Sequence, residues 1–395
     1  MDKVRLAVVG TGIMGQAHLG HMKEVQGAEV TAVCDTDPET LKKVSEEYPE
    51  AKAYDNHRRL IADGAADGVL IATPHYFHPP IAIDCFKKGI HVLSEKPIAV
   101  HTKGAKKAVR FHKKHAANLV YTVMFMSRTY PVWTKAKSIL DSGRLGEIRR
   151  VSWIITNWFR TQAYYDSSGW RATWGGEGGG VLLNQCPHNL DLLTWFTGLP
   201  RRVTADIAIG KYHGIEVEDE VSALLEYENG ATGQFVTTTG EAPGTNRLEI
   251  VGDLGRMVVE NGKIDLLTTA SSVQVFCDTS RELFAAPGFE REEVEIAPRF
   301  GTGHKEIVQN FVNAILRGED LIVKAEEAIQ GLALGNAMLM SGLKKRPVEI
   351  PFDDDEYACM IEKMAARSVS RKATRKPMPS GNSGKAHHLN RTRGN

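Results

Sequence analysis

Asn184 and His188 are the first residues whose types and spacing could do chemistry. They stand four positions apart in 178-GGGVLLNQCPHNLDLLTW-195, a run that begins with three glycines. Residues four apart are neighbours on the surface of an α-helix, so the spacing predicts that the amide and the imidazole share one face of a helix over 181–197. Such a pair belongs either to a reaction site or to a hydrogen-bonded core, and the rest of the chain must decide between the two.

The glycine-rich segment 10-GTGIMG-15 indicates a nucleotide site. Gly10, Gly12 and Gly15 match the G-x-G-x-x-G pattern between a predicted strand and a predicted helix. They allow a tight turn, close approach to a diphosphate and close helix packing, and the helix N-terminus favours the anion. Asp35 ends the next predicted strand, where its carboxylate can accept the ribose hydroxyls and would repel a 2′-phosphate. We therefore expect NAD rather than NADP; the alternative is a plain glycine turn with a surface aspartate.

Two further segments, 72-ATPHYFH-78 and 94-SEKP-97, end predicted strands of the same sheet. Ligands of open α/β sheets bind beyond the carboxyl ends of the strands. The residues expected near the cofactor, besides the three glycines and Asp35, are Thr11, Ile13, Met14, Thr73, Pro74, His75, His78, Glu95 and Lys96. Because Pro97 restricts the backbone after Lys96, a positioned lysine is favoured over a solvated one.

The order of the predicted elements indicates two domains. Short apolar strands alternate with helices over residues 1–123, which predicts an α/β domain of the Rossmann type, with a doubly wound parallel sheet. Longer strands dominate residues 124–350 and predict an α+β domain with a large, open, mostly antiparallel sheet, whose final helices could pack back on the first domain. The Asn229-Gly230 pair predicts a hairpin turn in this sheet.

Composition and charge exclude several classes of protein. The chain has 395 residues, is 42% hydrophobic and 25% charged, and carries a net charge of +1. Its five cysteines are scattered without a C-x-x-C pattern, which argues against a disulfide framework or a metal site and favours a reducing compartment. No run approaches the ~18 apolar residues of a membrane span, so we expect a cytoplasmic protein.

The end of the chain differs from the rest in charge. Residues 366–395 contain eight Lys and Arg and no Asp or Glu, whereas the preceding part has 41 basic and 48 acidic side chains. The Ser, Pro, Gly, Lys and Arg composition predicts a disordered basic tail. Binding of nucleic acid by this tail is the less favoured interpretation, because no nucleic-acid fold accompanies the charge.

Aromatic and polar residues are concentrated between 157 and 180. The residues expected to contact a substrate there are Arg160, Tyr164, Tyr165 and Trp174. Aromatic faces pack against the C–H faces of sugars, and arginines bind hydroxyl or anionic groups, so the segment predicts a polyol, pyranose or glycoside and leaves a phosphate open. The alternative is a loop packed on a partner subunit, and the open sheet itself predicts a homodimer or homotetramer built through its free face.

Taken together, these segments resemble the Gfo/Idh/MocA family of sugar and inositol dehydrogenases. The resemblance rests on GTGIMG, ATPHYFH, 95-EKP-97, 143-GRLGEIRRV-151 and the H-x-x-D of residues 188–191, and it covers about residues 1–345. It implies that Lys96 contacts substrate and cofactor and takes part in proton transfer, and that His188 is the histidine of the substrate domain. Asn184 stands where many members have an aspartate, so the implied site lacks that carboxylate, and we expect the Asn184 amide to bind substrate by a hydrogen bond.

The predicted function is the NAD-dependent oxidation of a ring hydroxyl of a sugar, glycoside or cyclitol to a ketone, or the reverse. An amide cannot raise the pKa of His188 by charge, so the base is Lys96 with a lowered pKa or His188 itself. We favour His188, with Lys96 polarising the hydroxyl, while Asp191 either binds substrate or bonds a neighbouring backbone group. The alternatives are recycled redox, elimination or epimerisation with a tightly bound NAD, and a non-catalytic NAD-binding sensor.

Overall fold

Six parallel strands form the first sheet, in the order β3-β2-β1-β4-β5-β6. They are β1 (Val4–Val9), β2 (Ala28–Cys34), β3 (Lys52–Tyr54), β4 (Gly68–Ile71), β5 (His91–Ser94) and β6 (Tyr121–Val123). The computed structural model describes residues 2–298 and 303–368. The central strands are buried on both faces, which explains their continuous apolar sequences. The predicted doubly wound sheet is confirmed, and the order reverses between β1 and β4, where such sheets bind ligands.

Five helices connect these strands: α1 (Ile13–Met22), α2 (Pro38–Glu47), α3 (His57–Ala62), α4 (His78–Phe86) and α5 (Thr102–His115). Local capping sets their starts, since the Asp37 side chain accepts from the backbone N–H of Thr40 and Asn56 accepts from that of Arg58. The short elements β3 and α3 were missed by the sequence analysis because three and six residues carry too little periodicity to predict.

A nine-stranded sheet forms the second domain, in the order β14-β13-β12-β11-β7-β10-β9-β8-β15. Its strands are β7 (Ile148–Ile155), β8 (Arg202–Ile209), β9 (Glu218–Glu226), β10 (Thr232–Thr238), β11 (Asn246–Gly252), β12 (Gly255–Glu260), β13 (Lys263–Thr269), β14 (Phe289–Val294) and β15 (Val348–Glu349). All neighbours are antiparallel except β7 and β10, which confirms the mostly antiparallel sheet. Gly230, at φ +84°, turns the chain between β9 and β10 as predicted.

The helices after β6 are α6 (Pro131–Asp141), α7 (Gln162–Tyr165), α8 (Val181–Asn184), α9 (Pro187–Thr197), α10 (Val273–Thr279), α11 (His304–Arg317), α12 (Ala328–Lys344) and α13 (Asp354–Ala365). The single helix predicted over 181–197 is wrong, because it breaks at Gln185 and Cys186. Pro187 occupies the first position of α9, where its missing N–H costs nothing and its ring prevents the preceding turn from continuing. Asn184 and His188 therefore do not share a helix face.

Helices α11 to α13 lie against the first domain. Gln309 of α11 donates to the carbonyl of Gln26 at 3.0 Å, and Asn336 of α12 accepts from the backbone N–H of Thr102 at 3.1 Å. Helix α12 also packs against β8, so it lies between the first domain and the second sheet. Within the described residues no helix is both long and apolar enough to cross a bilayer. The predicted disordered tail lies, from residue 369 onward, outside the described residues.

Candidate active site

The three glycines of the first turn form a cradle at the carboxyl end of β1. Gly10 has φ +90°, and a Cβ there would meet the Ala72 carbonyl oxygen at 2.6 Å. A Cβ at Gly15 would lie 2.0 Å from the Gly10 carbonyl oxygen, whereas a Cβ at Gly12 would point into open space with nothing within 4 Å. Gly10 and Gly15 are therefore required by the fold, and the space over Gly12 is left for a ligand at the exposed N-terminus of α1.

Alanine at Gly12 and at Gly15 should separate ligand binding from folding. We expect Gly12→Ala to keep the thermal unfolding midpoint of the wild type, because its methyl group meets no protein atom. The same methyl group would occupy the space left for the diphosphate, so NAD binding should weaken at least tenfold. Gly15→Ala should lower the unfolding midpoint itself, since its Cβ collides with backbone. Differential scanning fluorimetry and NADH fluorescence titration measure the two effects. Equal NAD affinity in Gly12→Ala and wild type would contradict a nucleotide at this turn.

The remaining residues expected around the cofactor line the same edge. Ile13 and Met14, in the first turn of α1, are 67% and 41% exposed. Asp35 follows β2 and accepts from the backbone N–H of Thr11 at 2.7 Å and from its hydroxyl at 3.1 Å, both on one carboxylate oxygen. The Thr73 hydroxyl oxygen is buried and has no hydrogen-bond partner among the described residues. The open cradle, the held carboxylate and the orphaned hydroxyl together fit a dinucleotide.

Lys96 lies directly beyond β5, between Glu95 and Pro97. Its ammonium donates to the backbone carbonyl of Asn184 at 2.8 Å, so it reaches from the first domain to the end of α8 in the second. Burial lowers the pKa of Lys96 below its usual range, and the carboxylates of Glu95 and Glu177 oppose this effect. A lysine with a lowered pKa at the meeting point of two domains is suited to accept a proton.

His188, in the first turn of α9, is the second predicted catalytic residue. Its ring packs edge-on against Phe125, with the ring centroids 5.7 Å apart. Burial and the nearby Lys96 ammonium lower the pKa of His188 to about 3, so the imidazole is neutral at neutral pH. Its Nδ1 atom is buried without a hydrogen-bond partner among the described residues. The two predicted catalytic residues thus act on each other although they come from different domains.

Asn184 belongs to a polar ring that includes a residue the sequence analysis missed. Its Nδ2 donates to the buried carboxylate of Glu177, and its Oδ1 accepts from the hydroxyl of Tyr164 at 3.4 Å. Arg171 closes the ring, because it donates to the Tyr164 hydroxyl at 2.7 Å and lies 3.8 Å from Glu177. Burial raises the pKa of Glu177 above its usual range. Glu177 in 173-TWGGEGGG-180 carried no periodic signal, and only its position before three glycines could have indicated it.

Two arginines lie against the ring of Tyr164. The guanidinium carbon of Arg171 lies 4.5 Å from the centroid of the Tyr164 ring, and that of Arg160 lies 5.0 Å from it. Arg171 has Glu177 as its partner, whereas Arg160 makes no ion pair within the described part of the chain, and its buried Nε has no partner. The predicted substrate residues Arg160 and Tyr164 therefore do lie near Asn184, and Arg160 retains unused capacity to bind an anion.

Glycines bring the loop of Glu177 against both domains. A Cβ at Gly178 would lie 2.2 Å from Val100 of the first domain, and one at Gly180 would lie 1.9 Å from the Glu218 carbonyl oxygen. His75 Nδ1 lies 3.0 Å from the Glu177 carbonyl oxygen, and the Tyr76 hydroxyl donates to the carbonyl of Trp174 at 2.7 Å. His75 thus joins the two domains beside the cofactor edge.

Other predicted residues are committed to internal contacts. His78 lies between the carbonyl oxygens of Pro97 and Thr73, at 2.8 and 2.7 Å, and Pro74 stands between Thr73 and His75 in the same turn. The Glu95 carboxylate contacts His18 Nε2 at 2.6 Å and the Lys96 backbone N–H at 2.9 Å. His78 and Glu95 thus hold the backbone of Lys96 and Pro97 in place.

Three further residues predicted to bind substrate are buried among protein groups. Asp191 is fully buried and binds Arg128 through both oxygens, at 2.8 and 2.9 Å, so neither proposed role of its carboxylate applies. Tyr165 is buried, and its hydroxyl donates to Thr239 at 2.8 Å. Trp174 is also buried. Arg128, an isolated basic residue after β6, gave no sequence signal that it would meet Asp191.

Models of known families match most of the chain. An oxidoreductase family with an NAD-binding Rossmann fold matches residues 4–123, and the GFO/IDH/MocA C-terminal domain matches residues 133–258. Within residues 2–298 and 303–368, no group of three or more His, Cys, Asp or Glu side chains could hold a metal ion.

Several individual proteins that resemble this chain are named dehydrogenases. Inositol 2-dehydrogenase of Corynebacterium glutamicum is 25% identical over 58% of this chain, and the match spans 64% of that enzyme, less than two thirds. Inositol 2-dehydrogenase 2 of Saccharopolyspora erythraea is 28% identical over 90% of this chain and 98% of its own length. The WlbA dehydrogenase of Bordetella pertussis, solved with NADH and UDP-GlcNAcA, has a TM-score of 0.74 at 28% identity, over 89% of this chain and 100% of that chain.

Proposed function

Because the chain belongs to the Gfo/Idh/MocA family of oxidoreductases with an NAD-binding domain, we propose that it oxidises a ring hydroxyl of a sugar, glycoside or cyclitol to a ketone, or catalyses the reverse. The observation that carries this proposal is the meeting of Lys96 with the second domain, at the edge of the sheet that holds the glycine cradle. Relatives named inositol dehydrogenases support the same class of substrate.

Lys96 is the proton acceptor in this proposal. Oxidation of a carbinol requires a base for the hydroxyl proton, and a base works best when its pKa lies near the working pH. A pKa of about 3 makes His188 too weak a base, whereas burial lowers the pKa of Lys96 below its usual range and so increases the share of free amine at a given pH. Neutral His188 then orients the hydroxyl by a hydrogen bond, which reverses the roles favoured from the sequence.

The residues of the cradle would hold NAD, and bound NAD would supply the acceptor for the hydride from the carbinol carbon. Gly12 and the first N–H groups of α1 would face the diphosphate, and Asp35 the ribose hydroxyls. Thr11 keeps one oxygen of Asp35 occupied and so fixes the carboxylate beside the turn. A fixed negative charge there favours NAD over NADP, because a 2′-phosphate would meet it directly.

An anionic sugar is the substrate class that the site favours within this function. Arg160 lies on Tyr164 without a carboxylate partner in the described residues, so a carboxylate or phosphate group on the substrate would complete its contacts. The WlbA dehydrogenase was solved with such an anionic sugar nucleotide. A free inositol is the alternative substrate, which the two inositol dehydrogenases support.

Assembly through the second sheet is a further part of the proposal. Leu224 and Ile154 are 57% and 38% exposed on the open face of the second sheet, which suits a homodimer or homotetramer built through that face in a cytoplasmic protein. Recycled use of a tightly bound NAD, elimination or epimerisation, and a non-catalytic sensor remain the alternatives. Retention of both Lys96 and His188 favours catalysis over the sensor.

NADH absorbance in a substrate panel tests the function. The panel comprises inositols, neutral pyranoses, uronic acids, sugar phosphates and nucleotide sugars, each with NAD and with NADP. We expect turnover with NAD at least tenfold above NADP, and higher kcat/KM for anionic than for neutral sugars. Arg160→Gln should reduce that preference, because it removes the unpaired cation. If none of the sugars or cyclitols gives NADH although the protein still binds NAD, the result would contradict a dehydrogenase and favour the alternatives.

A further inference from the structure

Glu177 is a buried carboxylate that the proposed chemistry does not yet use. It is 1% exposed and lies in the glycine-rich loop before α8. One oxygen accepts from Asn184 Nδ2, and the other accepts from the backbone N–H of Ala172 at 2.7 Å. We propose that Glu177 is a positioning residue of the active site, which orients the Asn184 amide and supplies the negative charge that balances the Lys96 ammonium. This inference deepens the proposed function and rests on it for its catalytic meaning.

Glu177 determines which way the Asn184 amide points. A side-chain amide has a donating end and an accepting end, and a carboxylate can only accept. The NH₂ group of Asn184 must therefore face Glu177, which directs Oδ1 toward the hydroxyl of Tyr164. The backbone carbonyl of the same asparagine receives the Lys96 ammonium. Asn184 thus contacts both charged groups, Glu177 through its side-chain amide and Lys96 through its backbone carbonyl.

Two negative and two positive side chains act on Lys96, so the loss of any one of them should change the pKa of this lysine. Those that act on the ammonium come from both domains and are Glu95, Glu177, Arg160 and Arg171, whereas the neighbouring His188 is neutral. The two carboxylates stabilise the ammonium, and the two guanidiniums oppose it. Glu95 is already committed to His18 and to a backbone N–H. Without the charge of Glu177, burial and the two arginines would dominate, and the pKa of Lys96 would fall further.

Two substitutions of buried glutamates separate this effect from a general loss of structure. Glu177→Gln removes the charge next to Lys96 and keeps the size of the side chain. The matched control is Glu218→Gln: Glu218 is equally buried and accepts from the backbone N–H groups of Gly180 and Leu182, at the start of the same helix. Burial raises the pKa of Glu218 to about 7, so it is about half ionised at neutral pH, but both of its oxygens are bound to these backbone N–H groups. Both variants perturb α8, and only Glu177→Gln removes a charge that acts on Lys96.

The measurement is the pH titration of the Lys96 ε-carbon in protein labelled with ¹³C-lysine, with the resonance assigned by its loss in Lys96→Arg. We expect the midpoint in Glu177→Gln to fall by roughly one pH unit and to stay in place in Glu218→Gln. Arg171→Gln should shift the midpoint upward, because it removes an opposing cation and frees Glu177 from its ion pair. An unchanged midpoint in folded Glu177→Gln would overturn the proposal. So would an unchanged or lowered midpoint in Arg171→Gln, even if Glu177→Gln does not fold.

The same titration distinguishes this inference from the proposed function. If the enzyme turns over, the rise of kcat/KM with pH should move to lower pH in Glu177→Gln by the same amount as the NMR midpoint, whereas a purely structural role would lower kcat/KM at every pH. A protein that shows the expected Lys96 shift but oxidises no substrate would support the charge balance and reject only the dehydrogenase function.

Discussion

Lys96→Met should reduce kcat for oxidation by about 10²–10⁴-fold, the usual contribution of a positioned acid or base. Methionine keeps the length and the apolar stem of lysine and removes the amine that reaches the Asn184 carbonyl. If Lys96 is the base, the wild-type rate should rise with pH through the lowered pKa of Lys96, and this rise should disappear in the variant. Steady-state kinetics between pH 6 and pH 10 measure both effects.

Lys107→Met is the matched control, because Lys107 is exposed on α5 of the same domain. It should leave kcat and the pH profile unchanged. NADH fluorescence titration should show that Lys96→Met still binds the cofactor within a few-fold of the wild type. A wild-type rate that is flat from pH 6 upward would fit His188 as the base, since its pKa of about 3 is already passed there. A loss smaller than tenfold in Lys96→Met would rule out the assigned role of the lysine.

Arg128→Met should have the largest effect on stability, a loss of about 3–5 kcal/mol in the free energy of unfolding. Arg128 is 4% exposed, and its removal would leave the Asp191 carboxylate buried without its cation. Burial already raises the pKa of Asp191 above its usual range, and without Arg128 it would rise further. An acid whose pKa is higher in the folded than in the unfolded protein stabilises the fold at low pH and loses this effect as pH rises. The deficit of the variant should therefore grow as the pH rises above about 4, the value for an unfolded aspartate.

Urea unfolding of a double-mutant set tests this assignment. Glu327→Gln removes the other carboxylate partner of Arg128, but that side chain is 40% exposed, so the loss should stay below about 1 kcal/mol. Arg128→Met combined with Asp191→Leu should recover part of the stability, because no buried charge then lacks a partner. A deficit in Arg128→Met that does not depend on pH would show that lost packing, including the contact of Arg128 with the Trp195 ring, causes the loss.

Features that depend on short stretches of sequence were predicted well. The turn at Gly10–Gly15 follows from the backbone freedom of glycine at one position and from the lack of room for a Cβ at another. The placement of Lys96 beyond β5 follows from the general rule that the strands of a parallel sheet end at one edge. The hairpin at Gly230 follows from turn chemistry. Each of these features is decided by residues within a few positions of one another.

The sequence also contained one local signal that was read wrongly. The spacing of Asn184 and His188 predicted one helix, although Pro187 stood between them. Proline has no N–H to donate and its ring displaces the preceding turn, so α9 begins at Pro187. Both residues still lie around Lys96, since the backbone carbonyl of Asn184 accepts from the ammonium and the ammonium lowers the pKa of His188. The predicted proximity to the site was thus retained, and the geometry assigned to it was wrong.

The sequence by itself determined the two kinds of sheet, the glycine cradle and the presence of a lysine and a histidine for chemistry. The tertiary structure alone decided which charges neighbour them. Arg128 meets Asp191 from 63 positions away, and the charge of Glu177 acts on Lys96 only because the glycine-rich loop packs against the first domain. Periodicity reports which face of an element is buried, but pairing between buried charges depends on how whole domains pack. The pKa values of Lys96, His188 and Glu177, on which the chemistry depends, are set by that packing.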